Sequence, residues 1–182
     1  MSDRLVLRHG KYRLVADRLG NACAVCAYLG GRMLHEGRAR SIEEAVAEAR
    51  GWLDEHEREL RAQRRSGRPT VEEYRRALTL VPFGAEHEAM LRAHARAKRR
   101  TVTAEELAAA GGYADGEAAS RDYGRLGRLI AEFIGFTPPA PEQSGQPLWT
   151  AAIAAPRRRE DGSWSWVMFP EVVEALMVLE PV

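Results

Sequence analysis

Short apolar runs of strand period come first along this chain, and longer apolar stripes of helical period follow them. From Tyr12 to Leu19 and from Ala22 to Tyr28 the residues are β-compatible, and the turn-forming pair Gly20 and Asn21 between them predicts a hairpin. Gly30 and Gly31 supply a second tight turn into a shorter strand, Met33 to Arg38. Ser41 then opens a helix. Glu44 stands three residues on, in capping-box spacing, and Ile42, Val46, Ala49, Leu53, His56 and Leu60 recur along one side. For residues 1–65 the pattern predicts a small three-stranded sheet covered by one helix.

The composition changes at Ser66, Gly67, Arg68 and Pro69, which predicts a boundary, with residues 66–84 as a linker and a short helix capped by Thr70 and Glu73. Beyond it, Ala85 to Ala97 places Met90, Leu91, His94 and Ala95 on one side of a helix, with His94 at the edge of a core. Thr103 and Glu106 cap the next helix, Ala104 to Ala110, and Gly111 and Gly112 end it in conformations that only glycine adopts freely, with Tyr113 plugging the corner. A longer helix from Gly116 to Ile134, capped by Asp115, carries Ala119, Tyr123, Leu126, Ile130 and Phe133 on its core stripe. Leu148 to Ala154 and Ser163 to Phe169 read as two strands, the second with Trp164, Trp166 and Met168 on one core face. Pro170 to Leu179 reads as a closing helix.

This order of helices and strands, over about Ala85 to Leu179, resembles a winged helix-turn-helix domain with a lengthened turn, and residues 85–182 are assigned to it. The expected fold class is α+β. The resemblance implies that the long helix is a recognition helix for duplex DNA, presenting Ser120, Arg121, Arg125 and Arg128, with Arg121, Arg125 and Arg128 at i, i+4 and i+7. It implies a wing bearing Arg157, Arg158 and Arg159, and Arg99 and Arg100 as further phosphate contacts. Glu117, Asp122, Glu160 and Asp161 stand beside these arginines, so a solvated, internally paired charged face is the competing reading. The run from Ala118 to Leu129 also looks like segments of uncharacterised bacterial proteins, some associated with HNH-type restriction nucleases. That likeness implies a detached DNA-recognition module of bacterial or phage origin. The N-terminal sheet and helix resemble, in topology alone, the arm-binding domains of phage-type integrases and several dimerisation modules, and contact with a protein partner or a second copy is the expectation for it.

Charge narrows these readings. The chain has 182 residues, a hydrophobic share of 45% and a formal net charge of +1, so it is predicted to fold without a global basic surface. Of its 27 basic residues only Lys11 and Lys98 are lysines. Residues 1–69 hold 14 basic and 10 acidic side chains, and residues 70–182 hold 13 and 16, so any positive surface in the second half is local. That acidic balance keeps a second function open, a protein-binding inhibitor or adaptor of mobile-element or defence type that uses the winged fold as a protein-contact surface.

Cys23 and Cys26 have C-x-x-C spacing, but inside a strand residues three apart point to opposite faces, so they read as apolar thiols and no metal or cofactor is expected. Glu86, His87 and Glu88, adjacent on a helix, point apart, and no motif has catalytic spacing, so the chain is expected not to be an enzyme. The first residues lack the apolar core of a signal peptide and no apolar run is long enough to span a bilayer, which predicts a cytoplasmic location with no membrane contact.

Overall fold

The strand signals at the start of the chain are realised as a plain meander. In the computed structural model, which describes residues 4–140 and 148–179, the chain divides into two units, residues 1–64 and 65–182. The first unit is a four-stranded antiparallel sheet in the order β1 (Leu5–His9), β2 (Tyr12–Leu19), β3 (Ala22–Leu29) and β4 (Arg32–Ala39), packed against α1 (Ile42–Ala62). The sheet has one strand more than the three expected. β1 pairs Val6 with Val15 and His9 with Tyr12, yet Leu5 and Val6 stay exposed, so this edge strand lacks the alternation of buried and exposed positions that marks a half-buried strand. In β3 the alternation is regular: Cys23, Val25, Ala27 and Leu29 are buried and Ala24, Cys26 and Tyr28 lie on the opposite face. The two cysteines are therefore free thiols on different faces of one strand.

Helix α1 closes the inner face with Ala45, Val46, Ala49, Leu53 and Leu60. Its cap is half of the expected box. Ser41 accepts the Glu44 N–H at 3.1 Å, but the Glu44 carboxylate takes the Arg40 N–H instead of returning to Ser41. Trp52 on α1 lies between two imidazoles, stacked with His35 of β4 at 4.6 Å and with His56 one turn along at 5.0 Å. Nearby Glu57 accepts from the Tyr12 hydroxyl and lies 2.9 Å from Lys11 Nζ; these contacts hold its carboxyl below the ordinary range even though burial works the other way.

The second unit is largely helical, with a small sheet at one side. Its elements are α2 (Val71–Leu80), α3 (Ala85–Arg96), β5 (Thr101–Thr103), α4 (Ala104–Gly111), α5 (Gly116–Ile134), β6 (Ala154–Arg158), β7 (Trp164–Met168) and α6 (Pro170–Leu179). The segment 66–84 is more than a connector, because Tyr74, Ala77 and Leu78 of α2 enter the core and the Tyr74 hydroxyl donates to the Ala152 carbonyl at 2.5 Å. Tyr123, Leu126, Ile130 and Ile134 of α5 form the centre of that core with Met90, Leu91, Leu107, Ile153, Met168 and Val172. Thr70 with Glu73 and Thr103 with Glu106 both make complete capping boxes, and Asp115 accepts the Ala118 N–H at 2.8 Å. Gly112 ends α4 with φ +73°, the left-handed conformation the corner requires.

Two differences from the expected strands shape the site. A three-residue strand, β5, joins the pair, so the sheet order is β5-β7-β6, with Val102 opposite Trp166 and Thr103 opposite Ser165. The stretch expected as a strand from Leu148 instead makes a 3₁₀ turn at Trp149–Ala152, and β6 starts only at Ala154. The reason lies in α5. A Cβ at Gly127 would sit 2.3 Å from the Trp149 carbonyl oxygen, so the turn crosses the helix where there is no side chain to hold it off.

Candidate nucleic-acid interface

The arginines singled out by their spacing fall into two groups with different surroundings. Along α5, Arg121, Arg125 and Arg128 are exposed as expected, and Ser120 is half-buried. Each of the three meets a carboxylate of its own helix: Arg121 with Glu117 at 2.9 Å, Arg125 with Asp122 at 3.3 Å, and Arg128 with Glu132 at 2.7 Å. Arg128 also lies over the Trp149 ring, 5.6 Å from its centroid, on the turn that crosses at Gly127. Such exposed pairs are each worth only about 0.2–1 kcal/mol. Each arginine of this helix face nevertheless has a carboxylate beside it.

Asp122 does more than pair with Arg125. Its Oδ2 accepts from the Tyr113 hydroxyl and lies 2.7 Å from His87 Nε2, so α3, the α4–α5 corner and α5 meet at one carboxylate. Partial burial raises the Asp122 pKa, but the Tyr113 hydrogen bond and the neighbouring His87 and Arg125 outweigh it and hold the carboxyl below its ordinary value. The same contact and its own burial push the Tyr113 phenol up to about 12. Tyr113 thus secures the corner as a hydrogen-bonded plug.

Arg157, Arg158 and Arg159 are brought to the β6–β7 hairpin, and there they meet Lys98 and Arg99. These five cations line a single open groove of about 650 Å³, which Thr101, Thr103 and Ser165 share and which includes none of Ser120, Arg121, Arg125 or Arg128. Three carboxylates, Glu106, Glu160 and Asp161, also line it. Two of them are turned to local duty: Glu106 accepts the Thr103 N–H at 2.8 Å in its capping box, and Asp161 accepts both the N–H and the hydroxyl of Ser163 in the hairpin turn. Those Ser163 bonds hold the Asp161 carboxyl below its usual range. The hairpin closes with Arg159 N–H on the Ser163 carbonyl at 2.9 Å, and the buried Ser165 hydroxyl donates across the ladder to the Arg157 carbonyl at 3.2 Å.

The position of Lys98 and Arg99 depends on a strained turn. Arg99 and Arg100 both take left-handed backbone, with φ 56° and 55°, which disfavours side chains by roughly 1–2 kcal/mol per residue. A buried histidine holds it. His94 Nε2 lies 3.1 Å from the Arg100 carbonyl and 2.9 Å from the Trp166 carbonyl, and a carbonyl only accepts, so Nε2 carries the proton. Nδ1 accepts the Tyr123 hydroxyl at 2.7 Å. Burial pushes the His94 pKa down to about 4, opposed by the two carbonyl contacts, and burial raises that of Tyr123. His94, expected at the edge of the core, is fully buried and ties the arginine turn to β7. Arg100, expected beside Arg99 at the surface, gives this bond its carbonyl and does not line the groove.

Sequence reading missed Lys98 and His94 as parts of this region. Lys98 carried a signal, since it is one of two lysines and adjoins Arg99 and Arg100. His94 carried none, because its partners Arg100 and Trp166 meet only in the folded chain. No protein-family model matches this sequence, and comparisons with curated proteins and with solved structures find no match either. Among the described residues, no group of three or more His, Cys, Asp or Glu is placed to hold a metal ion, and no helix is long and apolar enough to cross a membrane.

Proposed function

We propose that this chain is a non-enzymatic DNA-binding protein whose second unit is a winged helix-turn-helix, with the first unit serving contact with a protein partner or a second copy. The order α3, β5, α4, α5, β6, β7 and the strand order β5-β7-β6 support the winged reading. The observation that carries the function is the groove at the hairpin, where Lys98, Arg99, Arg157, Arg158 and Arg159 outnumber the carboxylates five to three. Guanidinium groups around hydroxyls in an open groove suit a phosphate backbone, whose oxygens take paired donors. In this reading the groove supplies most of the affinity. The arginines of α5 contribute only after leaving Glu117, Asp122 and Glu132.

Binding to a mixed-sequence duplex, followed by fluorescence anisotropy across a salt series, tests the proposal. The triple substitution R157A/R158A/R159A should weaken binding at least tenfold and flatten the salt dependence, since each lost phosphate contact removes about 0.9 from the slope. Wild-type protein that leaves the duplex unbound at low salt would overturn the reading. The ion-paired face of α5 favours a second reading, a protein-contact surface for an inhibitor or adaptor. A stoichiometric protein partner lost on substitution of Arg121 and Arg125, with no duplex binding, would select it.

A further inference from the structure

Trp164 stands apart from the other aromatic side chains of the second unit. Along β7 the side chains alternate, so Trp164, Trp166 and Met168 share one face. Met168 is buried and Trp166 packs against the core, but Trp164, two residues nearer the hairpin turn, runs past the core and is 56% exposed. Its cross-strand partner in the ladder is Arg158, and the next two positions of the chain toward the turn are Ser163 and Gly162. An indole held on a rigid hairpin, with two side-chain torsions to order and the Arg158 guanidinium opposite it in the ladder, is a platform for a flat apolar partner that carries negative charge nearby.

We infer that Trp164 stacks on an unpaired nucleobase of a nucleic-acid strand whose adjacent phosphate is held by Arg158, its partner in the ladder. The inference rests on the DNA-binding reading for the arginines and adds to it a contact of a different kind, one that prefers single-stranded or locally opened nucleic acid over intact duplex. Every base has an aromatic face, so the contact is tolerant of sequence. It is supplied by the side of the hairpin that carries the indole, while the cations line the groove.

The test uses the full-length chain and a fifteen-nucleotide oligothymidylate as probe, beside a duplex of the same length. Wild-type tryptophan emission should fall as the oligothymidylate binds. W164F should keep affinity within about twofold, because a benzyl ring still stacks, but lose most of the quench. W164A should bind the oligothymidylate about tenfold or more weakly, the loss expected for one stacked base, with little change on the duplex. Both variants should melt with the wild type, since over half of the indole is already in solvent. Equal oligothymidylate affinity for W164A and wild type overturns the inference. So does a wild-type protein that binds duplex, loses it in R157A/R158A/R159A, and ignores the single strand; there the DNA-binding reading stands alone. Binding of neither nucleic acid overturns both, and a protein partner lost in W164A assigns the indole to that partner instead.

Discussion

The two arginine clusters of the second unit contain the same chemistry and differ in what surrounds it. Arg121, Arg125 and Arg128 lie along one helix, and a carboxylate three or four residues away answers each of them. Arg157, Arg158 and Arg159 lie on a hairpin, and folding adds Lys98 and Arg99 to them while Asp161 and Glu106 are occupied by capping duties. Regular spacing on a helix therefore gave the alignment of the arginines together with the carboxylates that answer them. Convergence of segments far apart in sequence made the more positive site.

The sharpest way to break this comparison is to disturb the turn that shields one face of α5. Gly127→Ala places a Cβ 2.3 Å from the Trp149 carbonyl, against backbone that cannot step aside cheaply, and should destabilise the second unit by about 3 kcal/mol in urea unfolding. Gly124→Ala, three residues away with only the Thr150 hydroxyl at 3.8 Å, should stabilise it by up to about 1 kcal/mol through helix propensity. Equal effects at the two sites would mean that the turn does not rest on the helix.

The support of the hairpin groove is open to a pH test. His94 has a folded pKa of about 4, below its ordinary value near 6.5, so the unfolded chain binds the extra proton between those values and stability falls as pH drops through that window. From pH 7 to pH 5 the histidine should cost the second unit about 2 kcal/mol, and His94→Gln should remove that slope while lowering stability at pH 7. A slope unchanged in the glutamine variant would take the histidine out of the account. Smaller still is the difference between clusters in binding. R121A/R125A/R128A should weaken duplex binding by less than R157A/R158A/R159A, which loses at least tenfold, or about 1.4 kcal/mol. The reverse order would make the helix face the main contact.

Much of the architecture was legible because local rules applied. Thr70, Thr103 and Asp115 cap helices where their spacing says they should, and the core stripe of α5 is buried at Ala119, Tyr123, Leu126 and Ile130. What escaped was short or tertiary. β1 exposes Leu5 and Val6 on an edge, and β5 has three residues, too few for a period. β6 carries Pro156, which an edge strand tolerates, and its start was displaced by a turn that exists because Gly127 lies beneath it. Trp164 read as core because alternation gives a face but not how far the core extends along it. The pairing of Arg121 with Glu117 could be seen in the spacing; the meeting of Arg99 with Arg157 could not.

The strand orders of the two sheets also set a timetable. In the first unit every strand pairs with its neighbour in the chain, and the covering helix comes next, so all its partners are at hand once α1 has formed. In the second, Thr101 waits for Val167, and no closure of the β5–β7 ladder is possible until the hairpin exists. Contacts between near neighbours form faster than those that must close long loops. In refolding experiments the emission of Trp52, the tryptophan of the first unit, should therefore recover in an earlier phase than that of Trp149 and Trp166, and on the ribosome the sheet would be complete while half of its companion is still unwritten.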